Sequence, residues 1–134
     1  MSQENVELLR RAYEAFNAGD PSVFLEHYDP NIVLWVSPSF TESGTFLGAA
    51  GVEQYFTEFF APFGDSFRVE PDEFIEVGDS VIVLTTEHAQ GRRSGAQVGS
   101  RQHPLIFTLR AGKIIRIDIH VGRSDALEAV GLRE

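Results

Sequence analysis

The sequence predicts an α+β fold in which a curved, mixed but largely antiparallel sheet wraps around N-terminal helices. Two patterns and one absence carry that reading. Apolar residues recur at helical spacing up to Phe16 and again from Val52. From Phe67 onward they fall in strand-length runs divided by glycine-bearing turns. Repeated βαβ units and a Gly-rich phosphate loop are missing, which removes the doubly wound α/β class.

Taken in order, residues 2–17 form an amphipathic helix with Val6, Leu9, Tyr13 and Phe16 on one side, Ala12 beside them and Ser2 as a cap. Gly19 is placed to end it in a left-handed cap. Asp20 then caps a short second helix, about 21–28, with Pro21 as its first residue. Phe24, Leu25 and Tyr28 are its buried positions, and Asp29-Pro30 stops it. A first strand follows at Ile32–Val36, then a loop rich in Ser, Thr and Gly from Ser37 to about Gly48. Val52, Tyr55, Phe56, Phe59 and Phe60 mark a third helix, ended by Ala61-Pro62. The strand-like runs are Phe67–Val77, Val81–Ala89, about Val98–Leu109 and Lys113–Val121. Gly78-Asp79 and Ala111-Gly112 suit hairpin turns, and Gly91 to Gly95 (GRRSG) is a longer connection. The last helical turns, Ser124–Val130, end at Gly131. Such a sheet must bury one face. The early helices are the available cover, and the concave space between them is a natural cavity.

At 134 residues the chain reads as one domain, 1–134, large enough to bury roughly two-thirds of the surface its unfolded form exposes. Apolar residues make up 43%, which speaks against extensive disorder. The 11 phenylalanines either fill the core or line a broad apolar cavity. Twenty acidic against 11 basic residues give a net charge of −9, a surface that repels nucleic acid and anionic membranes. Without cysteine there is no disulfide, no thiolate metal site and no cysteine nucleophile. No segment has the apolar core of a signal peptide or the length to span a bilayer, so a cytoplasmic location is expected. No metal site is predicted, since HExxH and EF-hand patterns are both missing. The two arginines of GRRSG could meet an anion, although a solvated hairpin tip explains them as well.

The segments SQENVELLRRAYEAFNAGD, YDPNIVLW, FRVEPDEFIEVGDSVIVL and FTLRAGKIIRIDIHVGRSDALEAVGL together resemble the SnoaL-like family of the nuclear transport factor 2-like superfamily. The resemblance covers nearly the whole chain. It implies a cystatin-like α+β cone, with a function somewhere among isomerases, cyclases, dehydratases, epoxide hydrolases, transport factors and binding proteins. Fold likeness does not choose among these. Against the ketosteroid isomerase pattern, the general-base Asp of the first strand aligns with Trp35. The neutral acid of the oxyanion site aligns near Leu105, and its Tyr falls at Ala12, one residue short of Tyr13. An indole accepts no proton, so that mechanism is disfavoured. The cyclase and epoxide hydrolase acids find no secure match either.

His103 shares strand parity with Leu105, Phe107 and Leu109, the side that faces the cavity in the family. It is either an acid–base group near the mouth or a histidine held by its neighbours. Glu87 goes with Val81, Val83 and Thr85, and His88 with Ile82, Leu84 and Thr86. Both rows are apolar, so periodicity leaves the inner one open. His27 is most simply exposed. In KIIRIDIHVGR, Arg116, Asp118 and His120 alternate with Ile115, Ile117, Ile119 and Val121. A carboxylate can orient an imidazole, but a cavity-facing polar row would turn four branched apolar side chains outward. The expectation is therefore that the isoleucines and Val121 face inward and Arg116, Asp118 and His120 form a convex face. Family members dimerise through that face, so the resemblance implies a homodimer.

The expected lining is Trp35, Tyr55, Phe56, Phe59, Leu105, Phe107, Ile117 and Ile119, with Tyr13 supplying a hydroxyl. It suits a small apolar molecule. The leading reading is a small-molecule-binding protein of undefined activity. One alternative is an isomerase, lyase or hydrolase that uses His103 with Tyr13 or Glu87 and needs no organic cofactor. The other is a non-catalytic dimeric interaction domain.

Overall fold

A computed structural model describes residues 2–61, 67–90 and 97–132; of residues 2, 89–90 and 97–102 it describes the backbone alone. The GRRSG connection, the Pro62 helix stop and the side chain of Ser2 lie outside the described residues. Among the described residues, four helices and six strands follow in the order α1 (Ser2–Asn17), α2 (Ser22–His27), β1 (Tyr28–Val36), β2 (Gly44–Leu47), α3 (Gly48–Phe60), β3 (Arg68–Val77), β4 (Ser80–Gln90), β5 (Gln97–Arg110), β6 (Lys113–Ile119) and α4 (Arg123–Ala129). The strands form one sheet in the spatial order β2-β1-β6-β5-β4-β3. All neighbours are antiparallel except β1 and β6, which makes the sheet mixed.

Gly19 ends α1 as expected. At φ +94° it lets its own N–H reach the Phe16 carbonyl and the Asp20 N–H reach that of Ala15, the paired bonds of a Schellman cap. Asp20 then accepts the Ser22 N–H at 2.9 Å, which starts α2. The turn brings the end of α1 against the edge strand β3. There the Asn17 amide clamps one residue's backbone, donating to Val69 O at 2.7 Å and accepting the Val69 N–H at 2.9 Å. Val69 is buried and has no strand on that side. Asn17→Ala leaves both groups unpaired and is expected to cost about 2–4 kcal/mol in a denaturant titration. Asn17→Asp, which keeps only the acceptor, falls between it and the native chain.

The inner face carries the larger core. Ile32, Leu34 and Val36 of β1, Val81 and Val83 of β4, Phe107 and Leu109 of β5, and Ile114, Ile117 and Ile119 of β6 pack toward Leu9 and Tyr13 of α1 and Val52 of α3. A second, smaller core lies on the opposite face, where Ala126 and Leu127 of α4 cover Ile82, Leu84 and Ile106. This explains why both rows of β4 are apolar. One faces the cone and the other faces α4.

Four expectations about the elements need correction. The Ser37–Gly48 loop contains β2, an edge strand of four residues that pairs with β1 from Val33 to Val36. Its sequence, GTFL, has no alternation to reveal it, and Leu47 is 71% exposed. The first strand starts at Tyr28, not Ile32, because α2 ends at His27. In β6, Ile114 rather than Ile115 faces inward. The register passes from Arg116 opposite Thr108 to Ile114 opposite Leu109, leaving Ile115 as a bulge residue. Val121 lies beyond the strand and is exposed.

Candidate active site

Between α1, α2, α3 and the concave face of the sheet lies a cavity of about 560 Å³. Its position follows from register. Phe107 pairs with Val81 and Ile117, Leu105 with Val83 and Ile119, and Leu34 and Val36 lie opposite Ile117 and Ile119. One pleat face of four neighbouring strands is therefore apolar, and the helices contribute aromatic rings. The expected residues Tyr55, Phe56, Phe59, Leu105, Phe107, Ile117 and Ile119 all line the cavity, as do Tyr13, Glu87 and His103.

Trp35 does not. Leu34 and Val36 point inward, so Trp35 emerges on the convex face, where its ring stands 5.0 Å from that of His120. The difference is one of parity: the inward positions of the first strand, Leu34 in the core and Val36 on the cavity wall, flank Trp35 on either side. Leu34 and Val36 are apolar, and Asp29 of β1 does not line the cavity, so the first strand brings no carboxylate to it. Arg116, Asp118 and His120 share the convex face as expected, but Asp118 and His120 form no acid–base pair. Asp118 is taken by the guanidinium of Arg116, at 2.9–3.0 Å. Burial holds the His120 pKa below its ordinary value even though Asp118 and Asp125 pull it up. His27 is half-buried and bonds the Val23 carbonyl at 2.7 Å. His88 lies on the face opposite Glu87 and pairs with Glu70 at 3.1 Å.

The polar centre of the cavity is His103 with Glu87. Thr85 stands directly across from His103 in the β4–β5 pair, and Glu87 lies on the next diagonal of the same face. Thr85 spends its hydroxyl on the backbone, donating to His103 O at 2.8 Å. That leaves Glu87 to reach the ring, and its Oε2 lies 2.9 Å from His103 Nδ1. Phe40 packs edge-on against the imidazole, with centroids 5.1 Å apart. His103 is 8% exposed. A carboxylate on Nδ1 selects the tautomer with Nδ1–H, so Nε2 becomes the proton acceptor. In register Glu87 also faces Arg101, whose side chain lies outside the described residues.

Tyr13 adds a donor. It is 4% exposed, and among the described residues its buried hydroxyl has no hydrogen-bond partner. Burial first, and then the negative charge that Tyr28 and Glu87 can bring, raise its pKa far above the ordinary phenol value, so it stays protonated. An unmet hydroxyl beside a cavity costs stability until a ligand meets it. Tyr13→Phe is accordingly expected to stabilise the ligand-free protein by about 1 kcal/mol, read as a higher melting temperature. Unchanged or lower stability would show that the hydroxyl is already satisfied. Sequence reasoning does not place Phe40, Glu42, Glu53 or Val36 on the cavity wall, where the structure has them. Only Val36 carries a signal, the parity of β1. Among the described residues no three His, Asp or Glu side chains gather as a metal site, and no helix is long and apolar enough to cross a membrane.

A family model described as a SnoaL-like domain matches residues 9–117. No curated protein matches the chain. Among solved structures it is similar to Bal32a from a soil-derived mobile gene cassette, with 23% identity, 89% of each chain covered and a TM-score of 0.75. It is also similar to TerC co-crystallised with polyporic acid, at 25% identity over 94% of this chain and 97% of that one, TM-score 0.72. A protein of unknown function with a cystatin-like fold from Xanthomonas campestris matches at 17% identity, 96% and 98% coverage and TM-score 0.73.

Proposed function

The chain belongs to the SnoaL-like domain family, and from that premise we propose that its cone binds a small, largely apolar molecule and moves a proton on it through His103. The observation that carries this reading is the 2.9 Å contact between Glu87 and His103 Nδ1 inside an otherwise apolar cavity. Glu87 accepts the Nδ1 proton and fixes the ring. Neutral Nε2 then takes a proton from an acidic carbon of the substrate, and the resulting Nε2–H returns it to another carbon in an isomerisation or to the departing group in an elimination. Glu87 stabilises the imidazolium formed between the two steps. The Tyr13 hydroxyl, held in its neutral form, donates to the oxygen on which charge develops. The net reaction is an isomerisation or an elimination, and no step calls on an organic cofactor. TerC, crystallised with polyporic acid, supports the capacity of this fold to take an organic molecule.

The test works whichever of the two net reactions applies. Small apolar ketones and other carbon acids are incubated with the protein in D₂O, and NMR follows solvent deuterium entering the substrate. Incorporation above the uncatalysed rate, for at least one molecule that binds, is the expected result. Binding without exchange across the panel reduces the protein to a carrier.

A further inference from the structure

Among the described residues, the charged side chains that reach the cavity are carboxylates. Glu42 and Glu53 are exposed residues at its wall, Glu87 lies deeper, and among the described residues no Lys or Arg lines it. Glu42 comes from the β1–β2 loop and Glu53 from the first turns of α3, so two separate elements bring carboxylates to one opening. Neither is ion-paired among the described residues. Their field reaches the interior. Glu53 acts on Tyr28, and Glu42 and Glu87 on Tyr55, adding in each case to the effect of burial in disfavouring the phenolate. The same wall is rich in aromatic rings, among them Phe40, Tyr55, Phe56 and Phe59, and aromatic faces are electronegative. Deeper in, the buried hydroxyl of Tyr13 has no partner among the described residues and is open to a polar group of a ligand.

We propose that the cavity's ligand is an organic monocation, an ammonium group carried on an apolar or aromatic body. Its head lies at the Glu42–Glu53 rim and its body reaches Tyr13 and His103. A cation over aromatic rings in a partly desolvated site, with carboxylates nearby, is favoured by both attractions at once. An anion meets repulsion from Glu42 and Glu53 at the rim. The inference rests on the cavity reading above and narrows it.

Matched probes separate the two. Biphenyl-4-ylmethylamine, biphenyl-4-ylmethanol and biphenyl-4-carboxylate share a body and differ in charge at neutral pH. Calorimetric titration is expected to give the ammonium at least about tenfold tighter binding than the alcohol, and the carboxylate at least about tenfold weaker. In the Glu42→Gln/Glu53→Gln double variant the ammonium-to-alcohol ratio falls to within about threefold, while the affinity for the alcohol is unchanged. Alcohol and ammonium binding alike, a carboxylate that binds tightest, or a ratio that survives the double variant each overturns the proposal and leaves the cavity reading standing. If none of the three binds, the cavity reading fails and the proposal with it.

Discussion

Replacing His103 by glutamine is expected to slow proton exchange on a bound carbon acid by roughly 10²–10⁴-fold while leaving the fold intact. Thr85 bonds the His103 backbone rather than its ring, so the β4–β5 register survives the change. Glu87→Gln separates orientation from charge. An amide oxygen can still accept the Nδ1 proton, but it cannot stabilise an imidazolium. A smaller loss is expected, on the order of tenfold, with a displaced pH–rate profile and little change in KM. Rates within a few-fold of the native protein for both variants would falsify the proton-transfer role and leave the dyad as a structural pair.

Above about pH 10 the protein is expected to lose stability steeply. The sequence has three tyrosines, and burial raises the pKa of each from the ordinary phenol value of 10.0: Tyr55 to about 12, and Tyr13 and Tyr28 higher still. A raised pKa means that the folded state keeps a proton the unfolded state gives up. The stabilisation is complete below the unfolded value and disappears as pH climbs toward the folded one. For deeply buried Tyr13 and Tyr28 the slope is about 1.4 kcal/mol per pH unit each. Phenolate absorbance should stay low at about pH 10.5, when free tyrosine is mostly ionised, and then rise together with unfolding. A native-state titration near the ordinary phenol value would contradict the burial of these rings.

Much of this architecture is legible in the residues. Gly19 and Gly131 mark helix ends because a left-handed residue is cheap only for glycine. The alternation of Phe67–Val121 marks the sheet, and parity groups His103 with Leu105 and Phe107. Parity cannot decide between the two faces of β4, because α4 makes the outer one apolar too through Ala126 and Leu127. It misplaces Trp35, where every residue of Ile32–Val36 is apolar and so no face is marked. The Glu87–His103 contact is hidden for another reason. It joins positions 16 apart through a diagonal of the sheet, and only the strand register reveals a diagonal. Glu42 and Glu53 give no signal at all, since an exposed carboxylate looks the same in sequence whether or not it borders a cavity.

The parallel pairing of β1 with β6 also dictates when the molecule can become itself. Val36 and Ile119 are partners across the sheet although 83 positions separate them (119 − 36). During synthesis β1 waits, paired only with the short β2, while β3, β4 and β5 assemble as sequential hairpins. Contacts between distant segments are slow to form, because the chain between them must first be ordered. The wall made by Leu34, Val36, Ile117 and Ile119 is therefore the last to close. Until β6 is made, the apolar inner faces of β1 and β5 lack the strand that joins them.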